Sequence, residues 1–212
     1  MTSDTRHLVY FADPMCSWCW GFAPAMEAVG AKHPDLPVRL VMGGLRPFTA
    51  EAMDAAAKAR TRSHWQHVEA ASGQPFDFAF FEREGFVYDT EPAARAVVAA
   101  RRLAPETAFP LYHRVQRAFY AGNRDVTDSG VLAELAAEGG LDRQAFLAEF
   151  AGEAAREETL RYFATAQQAG VTGFPTLVAG PRGDGRYVMV SAGFQKPEAI
   201  LARIAVWLAE PA

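Results

Sequence analysis

The chain has 212 residues, half of them apolar and 22% charged, the proportions of an ordinary globular protein with one sizeable core. A formal net charge of -4, with lysines and arginines scattered, leaves no electrostatic footprint for nucleic acid or an anionic membrane surface. No apolar run approaches the roughly 18 residues that a membrane helix requires, so no membrane partner is expected.

Met1 to His7 lead straight into a strand with no basic start, apolar stretch or small-residue cleavage site, which predicts a cytoplasmic protein rather than a secreted precursor. In a reducing compartment a Cys-x-x-Cys pair is more readily catalytic or metal-binding than a structural bridge. His7-Leu8-Val9-Tyr10-Phe11-Ala12 reads as a short buried strand, closed by Asp13-Pro14 where proline forbids further pairing. The only two cysteines follow, Cys16 and Cys19, and then Phe22, Ala25, Met26 and Val29 recur at helical spacing toward Gly30, with Pro24 predicted to kink that helix. A helix starting near Cys16 places the first sulfur against unpaired backbone N–H groups and the positive dipole end, while Cys19 is shielded one turn deeper. An ordinary thiol of pKa about 8.5 is only a few per cent ionised at pH 7, so this asymmetry makes Cys16 the attacking and Cys19 the resolving sulfur of a dithiol exchange. Asp13 is placed either to cap the helix or to relay protons; a carboxylate beside Cys16 opposes ionisation, and it stays outside the catalytic set.

Residues 36–44 read as a second strand, giving a right-handed parallel βαβ unit with the cysteines at the carboxyl end of its first strand. From about Phe48 to Gly170 the pattern is helical. A helix opens at Thr49 or Ala50 and stops at Ser72-Gly73. The phenylalanine-dense segment Phe76 to Phe81 reads as core, and exposure of that segment is the one feature that would favour a homodimer over a monomer. Further helices start at Thr90-Glu91-Pro92, near Glu106, at Asp128-Ser129, at Leu141-Asp142 and near Glu153. Val171 to Ala179 returns to strand composition with Pro175 at its entry, suiting a turn or a cis bond. Residues 180–185 form a turn, Arg186 to Ser191 alternate as an antiparallel strand, and Pro197 opens a terminal helix with Ile200, Ile204, Trp207 and Leu208 on one face.

With Cys-x-x-Cys after the first strand and Gly173-Phe174-Pro175-Thr176 before a late one, the chain resembles the DsbA-like branch of the thioredoxin superfamily, and within it the cytoplasmic FrnE-like group. The resemblance is carried by Phe11-x-Asp13-Pro14-x-Cys16-x-Trp18-Cys19-x-Gly21-Phe22, by Asp125-Val126-Thr127-Asp128 through Leu141-Asp142, and by Gly170 to Thr176. It implies an α/β thioredoxin-like fold, βαβ then ββα around a central mixed sheet, with a large α-helical insertion. The thioredoxin-like domain would comprise residues 1–47 and 171–212, and the helical subdomain residues 48–170. It implies a cis Pro175 beside Cys16, and an extended substrate docked on Thr172, Gly173 and Phe174, with Trp18 at the rim. Partners would be disulfide- or thiol-containing polypeptides and glutathione, with no bound cofactor. Ser17-Trp18 replaces the Pro-His pair of strongly oxidising relatives, which argues for an intermediate or reducing potential. Trp18, Trp20, Phe22, Phe48 and Phe174 are candidates for an apolar rim, with Trp20 and Phe22 expected in the core.

Other readings stand beside this one. A kappa-class glutathione transferase or 2-hydroxychromene-2-carboxylate isomerase is similar in layout, but carries a serine-type residue where Cys16 stands and lacks the second cysteine. The cysteines could instead form half of a zinc site with His64 and His67, at i, i+3 on one helix, in a binding or chaperone-like module without redox turnover, or be inert buried thiols.

Overall fold

A computed structural model describes residues 6–210. Residues 1–5, on which the leader argument turned, lie outside the described residues. The sheet has four strands: β1 (His7–Ala12), β2 (Val38–Met42), β3 (Thr176–Gly180) and β4 (Val188–Ala192), in the order β2-β1-β3-β4. β1 pairs parallel with β2 and antiparallel with β3, and β3 pairs antiparallel with β4. The early βαβ and late ββα pieces therefore share one mixed sheet, as the sequence predicts.

The predicted first helix is two. Helix α1 (Ser17–Gly21) ends at Phe22, and α2 (Ala23–Lys32) begins there with Pro24 in its first turn, because proline has no N–H to continue the α1 hydrogen-bond ladder but fits the start of a new helix. Helix α3 (Ala55–Ser72) starts later than Thr49. Phe48 turns the chain with φ +63°, and Asp54 is the residue whose side chain caps the Ala57 N–H. Next come α4 (Glu91–Leu103), α5 (Ala108–Tyr120), α6 (Ser129–Glu138), α7 (Arg143–Ala151), α8 (Glu153–Gln168) and the terminal α9 (Pro197–Ala209). Asp128 and Asp142 cap α6 and α7 through their side chains. Thr90, expected to cap α4, accepts a hydrogen bond from the Arg46 N–H instead, and Asp89 takes the Glu91 N–H.

Two apolar cores meet across α4. Leu8, Tyr10, Leu40, Met42, Leu177 and Val190 from the sheet pack with α2 and α9, and with Ala94, Val97 and Val98 of α4. Ala93, Ala96, Ala99 and Ala100 of the same helix face the helical core. That core centres on Trp65, whose ring lies 4.8 Å from both Phe80 and Phe81 and 5.1 Å from Tyr120. The segment from Phe76 to Phe81 is thus packed inward, with Phe76 and Phe78 half-buried against the core, so the condition attached to a homodimer is not met.

Candidate active site

Cys16 is the N-cap residue of α1, with extended backbone at φ -91° and ψ 115°; its carbonyl accepts from the Trp20 N–H at 3.1 Å. The turn that delivers it is built by Asp13, whose carbonyl takes the Cys16 N–H at 3.1 Å. The Asp13 carboxylate accepts the Met15 N–H and the Leu45 N–H, each at 2.8 Å. It therefore ties the cysteine loop to the segment after β2, and it does not cap the helix. Asp13 is fully buried, and that burial raises its pKa to about 6, against the opposing hydrogen bonds from Leu45 and Met15.

Both cysteines are free thiols, 3.6 Å apart. Cys16 is 5% exposed and Cys19 0%, so the order of exposure follows the sequence reading, although Cys16 is more enclosed than expected. Across from them the Phe174–Pro175 peptide is cis, and the Cys16 thiol donates to the Phe174 carbonyl at 3.5 Å. Burial pushes the Cys19 thiol well above its ordinary pKa, and its hydrogen bond and charge interaction with Cys16 push in the same direction.

The structure brings Cys16, Cys19, Phe174 and Pro175 together. Thr172 and Gly173 lie exposed on the approach to Phe174, and a Cβ built on Gly173 meets nothing within 4 Å. Trp18 is half-buried with its ring 5.5 Å from Phe194, an aromatic neighbour that sequence reasoning missed. Trp20 and Phe22 are core, and Phe48 is 62% exposed. His64 and His67 both face solvent on α3, on the opposite side from Trp65 and Val68. No group of three or more His, Cys, Asp or Glu side chains among the described residues is arranged to hold a metal, which removes the structural basis for the zinc site. No helix among the described residues is long and apolar enough to cross a membrane. Sequence reasoning also missed the pairing of Tyr10 and Tyr112, two buried phenols in the same core as Cys19 whose oxygens are 3.3 Å apart.

A mixed sheet in this strand order, a helical excursion between β2 and β3, and a dithiol at the end of β1 facing a cis-proline loop define a thioredoxin-like α/β protein of the disulfide-oxidoreductase class. The chain belongs to the family of DSBA-like thioredoxin domains, whose model matches residues 7–205. Among solved structures it is similar to a Nitrosomonas europaea protein provisionally described as a protein disulfide isomerase, at 37% identity and a TM-score of 0.89 over 97% of this chain and 98% of that one. It is also similar to the cytosolic disulfide reductase DsbM from Pseudomonas aeruginosa, at 28% identity and a TM-score of 0.78, covering 95% of this chain and 98% of that one; DsbM has also been solved with GSH. A curated relative, the ClpXP adapter protein SpxH of Bacillus subtilis, is 23% identical over 172 residues, covering 79% of this chain and 56% of the relative. The chain thus spans about half the length of the curated relatives it matches.

Proposed function

We propose that the protein exchanges disulfides through Cys16 and Cys19, in a cytoplasmic setting and in the reducing direction. The observation that carries the reading is the Cys16 sulfur, 3.5 Å from the Phe174 carbonyl with Cys19 3.6 Å away. In the forward reaction the Cys16 thiolate attacks a substrate disulfide, forms a mixed disulfide and expels one substrate thiolate. Cys19 then attacks the Cys16 sulfur, closing the internal disulfide and releasing the second substrate sulfur. Thr172, Gly173 and Phe174 offer backbone to an extended substrate segment, and the open space over Gly173 supports that docking. Trp18 and Phe174 supply apolar contact beside the sulfur.

The substrates are disulfides in polypeptides, and glutathione is the small thiol that returns the pair to the dithiol state; the DsbM structure with GSH supports the second assignment. The reducing direction rests on Ser17-Trp18, which supplies no histidine to stabilise a thiolate, and on the similarity to a cytosolic disulfide reductase. Placement in the FrnE-like group, and division into a thioredoxin-like domain (1–47 and 171–212) and a helical subdomain (48–170), belong to the same proposal. Cys16→Ser should abolish exchange with a peptide disulfide, and Cys19→Ala should accumulate a mixed disulfide visible by mass spectrometry. Normal turnover by the Cys16→Ser protein would sink the assignment.

A further inference from the structure

One face of the sheet is half covered. Phe11 and Val41 lie with Ala166 of α8 in a small buried core, and Tyr162 packs against it. The next row toward the start of β1 is Arg39, Val9, Val178 and Met189, one residue from each strand on the same face by register. Val9 and Val178 are half-buried; Arg39 and Met189 are exposed, the methionine at 58%. Tyr187, its hydroxyl 2.9 Å from His7 Nε2, lines the end away from the dithiol. The row floors a cleft of about 1110 Å³. Small-molecule sites enclose about 300–1,000 Å³, so the cleft has room for a ligand of ordinary size. Neither Cys16 nor Cys19 lines it, and Thr172 is its one residue in common with the docking segment proposed above.

Its polar groups define the chemistry of an occupant. The charged residues on its walls are Arg39, Arg101 and Glu106, an excess of positive charge. The Arg39 side chain has no hydrogen-bond or ion-pair partner among the described residues. Arg101 stacks on Tyr162 at 4.3 Å and donates from Nη1 to the Leu40 carbonyl of β2. Its Nε stands 4.0 Å from Glu158, and its Nη2 is buried without a hydrogen-bond partner, so the positive charge on this wall is only partly answered. Both arginines lie at the β2 side, whereas Val9, Val178 and Met189 carry apolar surface across to β4. That segregation suits an anionic head with an apolar tail, and a guanidinium fork matches a carboxylate. From Arg39 to Met189 the floor crosses three strand spacings, about 14 Å, roughly the extended length of a ten-carbon carboxylate.

We propose that this cleft binds an amphipathic carboxylate of the medium-chain fatty-acid class, its head on Arg39 beside Arg101 and its tail along Val9, Val178 and Met189. The site is separate from the dithiol, and occupancy involves no covalent step.

The test is isothermal titration of the purified protein with decanoate, with decylammonium and acetate as controls, joined to amide chemical-shift mapping on nitrogen-labelled protein. Decanoate should bind one to one and shift the amides of Val9, Val178 and Met189. Decylammonium, the same chain with the opposite charge, should bind at least about tenfold more weakly, and acetate should give no saturable heat. Arg39→Gln, at an exposed position that leaves the core intact, should weaken decanoate about five- to tenfold. Met189→Glu sets a charge against the tail and should weaken it by a similar factor. Cys16→Ser should bind decanoate as the wild type does. No saturable binding below about 1 mM, equal binding of decylammonium, or an unchanged affinity in Arg39→Gln would overturn the proposal. Shifts confined to residues 16–19 and 172–174 would move the ligand to the dithiol and overturn it as well. A wild-type dimer that Met189→Glu converts to a monomer in sedimentation would give the face to a second copy of the chain instead.

Discussion

Asp13 sits three residues before Cys16 with no exposed surface, and its carboxylate accepts backbone N–H groups from two different loops. Its pKa of about 6 lies roughly two units above that of an unfolded aspartate, so the folded state holds its proton to higher pH. The stabilisation is therefore complete below about pH 4 and is lost as pH rises through 6, a change of about 3 kcal/mol. Denaturant melts of wild type and Asp13→Asn across pH 4–7 should record it, with wild type losing stability relative to the variant as pH rises. A constant difference would mean that the carboxylate is ionised throughout. The sequence marks Asp13 as a turn residue before proline. It gives no hint of the Leu45 partner, 32 positions away, and for that reason the helix-capping reading was reasonable and incorrect. A longer separation, 102 positions, hid Tyr112 from any argument about Tyr10: both look like ordinary aromatic core positions until β1 and α5 are packed together.

At the scale of elements, the end of β2 fixes the loop that faces the cysteines. A Cβ built on Gly43 would lie 2.0 Å from the Phe174 ring, so only glycine lets that ring settle against the strand while its carbonyl reaches Cys16. Gly43→Ala should displace Phe174, destabilise the protein by about 1–3 kcal/mol and slow exchange with a peptide disulfide; wild-type kinetics would show that the Phe174 position does not matter to the reaction. Each edge strand has one carbonyl met by an arginine: Arg101 donates to the Leu40 carbonyl at 2.9 Å and Arg203 to the Val190 carbonyl at 2.6 Å. Edge carbonyls satisfied in this way are poor templates for strand addition from another chain. Element type was legible almost everywhere, because strand alternation, helical spacing and Asp or Pro start signals agree locally. Boundaries were less so where tertiary contacts intervene. Helix α3 waits for Asp54 because Phe48, held in a left-handed turn by its N–H bond to Asp89, takes the chain elsewhere first.

The whole molecule is a small sheet packed against a much larger helical mass, with the cysteines at the carboxyl end of its interior strand β1, and α4 joins the two by burying both its faces. Trp65 anchors that mass, so Trp65→Ala should cost about 3–5 kcal/mol in a thermal or denaturant melt. A loss under 1 kcal/mol would mean that the aromatic cluster closes around the gap. The fold and the dithiol were legible because they rest on short motifs in a fixed order. The depth of Cys16, the Phe194 neighbour of Trp18 and the buried Tyr10–Tyr112 pair depend on packing between residues up to about 180 positions apart, which no local pattern encodes. The central claim is that Cys16 and Cys19 form a reversible redox couple. Its most direct test is equilibration of the purified protein in glutathione buffers of graded ratio, followed by alkylation and mass counting of free thiols. The account predicts that both cysteines are lost and regained together as a two-electron couple, with a midpoint in the intermediate-to-reducing range. Thiols that stay alkylatable across every ratio would contradict it.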